Sequence, residues 1–128
     1  AGIEGSVRYR SGPFQYSQAE MWWYVWRLAA SLFVNRLRYG RFLDIFVSHA
    51  PAWEIHDATD LAHQGIKAFR WLIKVFQPAI HLHGHIHVYH PATVTKTLVD
   101  KTHVINSYQF RELAFDIKKI HERPIEWI

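Results

Sequence analysis

The spacing of apolar positions changes several times along the chain, and each change marks an element. Ile3 to Arg10 reads as a short strand, clearest from Gly5 to Arg10, and Ser11-Gly12-Pro13 is turn chemistry that ends it. Ser17-Gln18-Ala19-Glu20 has the form of a capping box, in which hydroxyl and carboxylate each satisfy a free amide of a first helical turn. Met21, Trp22, Val25, Leu28, Ala29, Leu32 and Phe33 then recur at the spacing of one helical face, with Gly40 as the stop. That face is most simply core. Trp23, Arg27, Ser31, Val34 and Arg38 form a wetter opposite face, better suited to packing against further parts of a larger domain than to a membrane surface.

Leu43 to Val47 is an apolar run rich in strand formers that ends abruptly at Ser48-His49-Ala50-Pro51, so it reads as a buried strand. Trp53 to Gln64 is loop-like and carries His56, Asp57, Asp60 and His63. A helix follows from about Gly65 to Phe76, where Ile66, Phe69, Leu72, Ile73 and Phe76 share a face and Pro78 prevents continuation. Lys67, Arg70 and Lys74 make a solvated basic stripe on it. Ala79 to His83 is a further strand; Thr93 to Val99 and Thr102 to Asn106 suggest a hairpin around Asp100-Lys101, and Leu113 to Ile117 a last strand. Pro124 to Ile128 has no clear role. The order β, α, β, α, β, β, β, β places the chain in the α/β or α+β class with a layered sheet core.

Composition narrows this to one domain. The chain has 128 residues, of which 49% are hydrophobic and 20% charged, a profile that excludes a disordered segment. It opens on Ala-Gly-Ile inside a strand pattern, so residues 1–128 are expected to be one partial domain. The absence of cysteine removes disulfides and thiolate metal sites, leaving imidazole, carboxylate and amide as ligands. A net charge of +4 favours anionic partners only weakly. Glu20 and Arg27 interrupt the richest apolar stretch, so no membrane span is expected. Neither a nucleic acid nor a membrane is indicated as partner, and the expected location is cytoplasmic.

The candidate chemistry sits in His81-Leu82-His83-Gly84-His85-Ile86-His87, four imidazoles within seven residues. On a strand, Ile80 and Leu82 face one way and His81 and His83 the other. Gly84 is expected to bend the chain and aim His85 and His87 together into a cleft at the strand's carboxyl end, where open α/β sheets place their ligands. His49, at the end of a second apolar strand, joins them. Neutral imidazole suits Zn, Mn, Fe, Ni or Co, and three such ligands could hold one catalytic zinc with an open position. A metal pair acting on phosphoesters needs carboxylates as well, and none stands beside these motifs in the sequence.

Ser48-His49-Ala50-Pro51 and Gly84-His85-Ile86-His87 resemble the last two signature blocks of the calcineurin-like metallophosphoesterases, in the right order and each at a strand end. Gly5-Ser6-Val7-Arg8-Tyr9, the stretch from Asp57 to Gly65, and Val104-Ile105-Asn106 also look like bacterial members of that family. The resemblance implies a four-layer αββα sandwich with a mixed sheet, of which this chain is the C-terminal half. It implies hydrolysis of phosphomonoesters or phosphodiesters at a centre of two divalent ions (Mn, Fe or Zn), with His49 and His85 on one ion and His87 on the other. Arg8 and Tyr9 are candidates for phosphate contact, and Asp57 and His63 for lining the pocket or orienting a ligand histidine.

The family's earlier blocks, Asp-x-His, Gly-Asp and Gly-Asn-His, do not occur in these 128 residues. The remaining ligands and catalytic groups are therefore expected upstream, in an N-terminal half that is the chain's first partner; the phosphoester is the second. Alone, the chain is expected to hold metals weakly and to be inactive. One alternative is a histidine-triad nucleotidyl hydrolase, which His83 to Tyr89 loosely resembles, although Gly84 stands at an apolar position of that signature and the Ser48 to Pro51 block is left unexplained. Another is a degenerate, non-catalytic module with structural histidines. The H-x-H-x-D-H pattern of metallo-β-lactamases is broken, since His85 stands where the aspartate belongs.

Overall fold

Two successive strand–helix–strand units build the molecule. In the computed structural model, which describes residues 1–109, 111–116 and 118–120, the elements run β1 (Gly2–Ile3), β2 (Ser6–Val7), β3 (Gln15–Tyr16), α1 (Gln18–Tyr39), β4 (Ile45–Ser48), α2 (Lys67–Phe76), β5 (Ile80–His83), β6 (Lys96–Val99) and β7 (Thr102–Asn106). The sheet has the order β1-β4-β5-β7-β6, with β1, β4, β5 and β7 parallel and β6 antiparallel on the edge. This is an α/β fold with a mixed five-stranded sheet. Crossovers that step in one direction across a parallel sheet put their helices on one face. Accordingly Met21, Val25 and Leu32 of α1 share a core with Phe69, Leu72 and Ile73 of α2 and with Phe46 and Val104 of the sheet.

Helix α1 forms where the cap says it should. Ser17 Oγ accepts from Glu20 N at 3.2 Å, Glu20 Oε2 accepts from Ser17 N at 2.6 Å, and Gly40 closes the far end in the left-handed conformation. Its contact with α2 is largely aromatic: Trp22 and Trp26 lie against Trp71, and Phe33 and Phe42 meet Phe76 edge-on. Phe33 was expected on the buried face but is 54% exposed, because it sits at the rim of this cluster. The opposite face is exposed at Trp23, Arg27, Ser31, Val34 and Arg38, as expected.

Three expected strands change. Ile3 to Arg10 is split into β1 and β2 by Gly5, whose φ of 86° leaves the extended region and whose missing Cβ lets Phe14 and Tyr16 close over it. β2 leaves the main sheet and pairs with β3. The expected Thr93–Val99 strand starts only at Lys96, although its hairpin with β7 forms, with Asp100 left-handed in the turn. Residues 113–116 form no strand, while Ile117 and the segment from Pro124 to Ile128 lie outside the described residues.

The strand ends align. Ile3, Ser48, His83 and Asn106 are register partners in sequence across β1, β4, β5 and β7, and each is the last residue of its strand. The residues that follow them, Glu4, His49, Gly84 and Ser107, therefore form one rim at the carboxyl edge. On the helix-covered face Phe46, His81 and Val104 lie in one register row. Ile80, Leu82, Ile105 and Ile45 face the other way and are covered, among the described residues, by Leu113 and Ile120.

Candidate metal centre

The first histidine pair stands on the rim. His85 Nε2 donates to the Ala62 carbonyl at 2.7 Å, which leaves the lone pair of a neutral ring on Nδ1. That Nδ1 stands 3.0 Å from Nε2 of His49. In a protein without a cation, His49 Nε2–H donates to it. The same spacing suits two ligands of one ion. Zinc with nitrogens at about 2.05 Å sets them about 2.9 Å apart at a right angle and about 3.3 Å apart in a tetrahedron. The carbonyl on the remote ring nitrogen is the usual support of a ligand histidine. Burial, and then the neighbouring His85, hold the His49 ring below the usual histidine range, which keeps it neutral and able to ligate.

Loop residues 53–65 bring the Ala62 carbonyl to this place. Pro51 and Trp53 bond across to Ile66, so the loop closes on itself, and Gly65 packs where a Cβ would lie 2.6 Å from the Ala52 backbone. Asp57 Oδ2 accepts from Gly65 N at 3.0 Å and so shapes the loop. His63 is gripped by Asp60, with Nδ1 2.8 Å from Oδ1, and its ring lies 5.4 Å from the ring of His85. Of the expected site residues, the structure thus gathers His49, His85 and His63.

The others are elsewhere. His87 was expected beside His85; its Nδ1 instead bonds Tyr89 Oη at 2.8 Å and its ring lies 4.9 Å from that of Tyr108. The bend that separates them is made by His85 itself, left-handed at φ 65°, and not by Gly84. Arg8 binds both oxygens of Glu20 and the Gln15 carbonyl, so its guanidinium ties β2 and β3 to the start of α1. Tyr9 is exposed, with Arg10 over its ring.

Sequence reasoning missed three contributors. Glu4 lines a surface depression together with His49, Gly5 and Phe14, and its Oε1 accepts from Tyr16 Oη at 3.1 Å. The signal was available: Glu4 follows one strand as His49 follows its neighbour. Ala62 contributes only a carbonyl, which no side-chain pattern can announce. His56 makes the second pair, with Nδ1 3.0 Å from Nε2 of His83 and Nε2 2.8 Å from Thr97 Oγ1.

In that second pair His83 is buried and His56 half-buried. His83 Nδ1 donates to the Gly84 carbonyl at 3.0 Å. Burial pushes the His83 ring down to about 4 against the pull of that carbonyl, and burial lowers His56 as well. His81 lies deeper still, stacked on Phe46 with ring centroids 4.8 Å apart. Ser48 Oγ donates to the Ala50 carbonyl and accepts from His81 Nε2, so His81 Nδ1 is a buried acceptor without a hydrogen-bond partner among the described residues. Burial, reinforced by His83 and His56, holds His81 well below its usual range.

Among the described residues no three His, Asp or Glu side chains converge on a cation position. The donors gathered here are two imidazoles, fewer than a complete centre needs. None of the described helices is long and apolar enough to cross a membrane. Fold and rim together define an α/β protein with a mixed sheet and a histidine-bearing carboxyl edge. No match to this chain is found among protein-family profiles, curated proteins or solved structures.

Proposed function

We propose that the chain supplies the histidine half of a two-metal phosphoester hydrolase, with His49 Nε2 and His85 Nδ1 on one divalent ion and His87 on the other. The observation that carries this is the convergence of the two ring nitrogens at 3.0 Å with the remote nitrogen of His85 already bonded to the Ala62 carbonyl. When bound, the metals supply electrophilic stabilisation of the phosphoryl oxygens and a nucleophile at neutral pH. The chain's own residues bind and orient: Ala62 fixes the His85 tautomer, and the Asp60–His63 pair packs beside its ring.

The carboxylates such a centre needs come from the other half of a four-layer sandwich. The sheet supports that arrangement, because both helices cover one face while Val47 and Leu98 on the other remain 47% and 61% exposed. A second sheet against that face makes the N-terminal half the partner. The histidine-triad alternative has less support, since His83 is buried with both ring nitrogens engaged, by His56 and by the Gly84 carbonyl.

Calorimetric titration of the full chain with Mn²⁺, alone and joined to its upstream half, tests the assignment. His85→Ala is expected to weaken binding by more than the roughly 10–100-fold that loss of an outer partner causes. Unchanged affinity in both His49→Ala and His85→Ala would remove these residues from any metal centre.

A further inference from the structure

His85 is the middle residue of a strained turn. Its φ of 65° is uncommon for a residue with a side chain, and Ile86 N donates to the Gly84 carbonyl at 2.7 Å, an i to i+2 bond across it. Positive φ with such a bond is the rarer, strained form of γ-turn, which persists only where its surroundings hold it. Three bonds do so here. Gly84 N donates to the His49 carbonyl at 3.0 Å, Asn106 Nδ2 donates to the Ile86 carbonyl at 2.8 Å, and His83 Nδ1 shares the Gly84 carbonyl.

The third bond has a directional chain behind it. A carbonyl only accepts, so Nδ1 of His83 carries the proton and its Nε2 is an acceptor. Nδ1–H of His56 fills that acceptor, and the Thr97 hydroxyl then donates to Nε2 of His56. Each neutral ring has its tautomer set by the next. The chain crosses from β6 through the loop to the end of β5, and ends on the carbonyl from which the turn hangs.

We propose that Thr97, His56 and His83 are positioning residues that clamp the γ-turn at His85 and so hold His85 Nδ1 opposite His49 Nε2. The value of this to a metal centre rests on the function proposed above; the clamp itself does not. His83 has no catalytic part, and the ring nitrogen that a ligand would use is already engaged.

Histidine-labelled full chain, observed by NMR, reads the clamp without metal, through the ring-nitrogen shifts of His83 and His56 and the scalar couplings that report φ of His85. His83→Leu is expected to move His85 out of the left-handed region and to weaken Co²⁺ binding about 10–100-fold. His83→Asn places an amide donor where Nδ1 stood, and should restore both. A His85 turn unchanged in His83→Leu overturns the proposal, as does an Asn variant no better than Leu. Should His83→Leu not fold, Thr97→Val decides: altered His56 and His83 ring shifts with a several-fold loss of Co²⁺ affinity support the chain, and unaltered ring shifts sink it. Failure of the unmodified protein to bind Co²⁺ removes the metal assignment alone, since the couplings and ring shifts still judge the clamp.

Discussion

Two pairs of imidazoles in this molecule have nitrogens at the same 3.0 Å, yet they sit in different settings. His49 and His85 stand on the carboxyl rim, where His49 is exposed and the lone pair of His85 is turned toward it. His83 is buried and His56 half-buried, with the outer nitrogens committed to Thr97 and to the Gly84 carbonyl. Distance between imidazoles therefore does not identify a ligand pair. What separates the two is exposure: His83 is 1% exposed, whereas His49 lines a surface depression with Glu4, Gly5 and Phe14.

The largest difference is expected in stability. His83→Ala leaves the His56 N–H without its acceptor, takes one of two donors from the Gly84 carbonyl and opens a cavity, which costs about 3 kcal/mol. His49→Ala on the rim changes stability by no more than about 0.5 kcal/mol. Urea unfolding of the two variants checks this. Equal costs would mean that the rim pair is as structural as the buried one, and the distinction between them would fall.

Proton uptake divides the pairs in a second way. The folded pKa of His83 lies at about 4, below the 6.5 of an unfolded histidine, so the unfolded chain binds the proton first. Stability is thus full above about pH 6.5, falls as pH drops toward 4, and levels off below that. A 2.5-unit gap corresponds to roughly 3 kcal/mol. His56 and His81 shift in the same direction and steepen the fall. Unfolding measured from about pH 7.5 to 5.5, above most carboxylate titration, reads chiefly the histidines. In His83→Asn the slope should be markedly shallower; an unchanged slope would place the proton uptake elsewhere.

Ser48→Ala is a smaller perturbation. It removes the acceptor of His81 Nε2–H and leaves both nitrogens of a buried ring without partners, at about 1–3 kcal/mol by thermal or urea unfolding. The rim pair should not respond, because the Ser48 side chain faces the helices.

Much of this was legible in the chain. The capping box placed α1 to the residue, and the runs ending at Ser48 and His83 placed two strands and hence the edge that carries His49 and His85. Alternation correctly put His81 and His83 on one face, opposite Ile80 and Leu82. It could not say that this face lies under α2, because the side on which a helix packs is decided by the crossover and not by the strand. Gly84 looked like the bend, but the turn is enforced by hydrogen bonds from His49, His83 and Asn106, which are distant from it in sequence or invisible as a pattern. His87 parts from His85 for the same reason: one left-handed residue rotates everything after it, and i, i+2 spacing keeps a common face only in an unbroken strand.

The smallest effect, and the sharpest contrast, is expected at His81. It faces the same side of β5 as His83, but its Nδ1 meets no donor among the described residues, and Ser48 keeps the Ala50 carbonyl if the ring is gone. Replacing it with an apolar side chain of similar size discards an unpaired buried acceptor and retains the contact with Phe46. His81→Leu should therefore leave stability within about 1 kcal/mol of the parent, in either direction. His83→Leu, two residues on, should lose about 2 kcal/mol or more, because it strands the His56 N–H and takes one of two donors from the Gly84 carbonyl. Adjacent in-facing histidines that respond so differently would locate the structural role in hydrogen-bond direction rather than in burial. If His81→Leu costs as much as His83→Leu, an unseen partner, such as a buried water on Nδ1, completes the row, and the deep histidines act as one network.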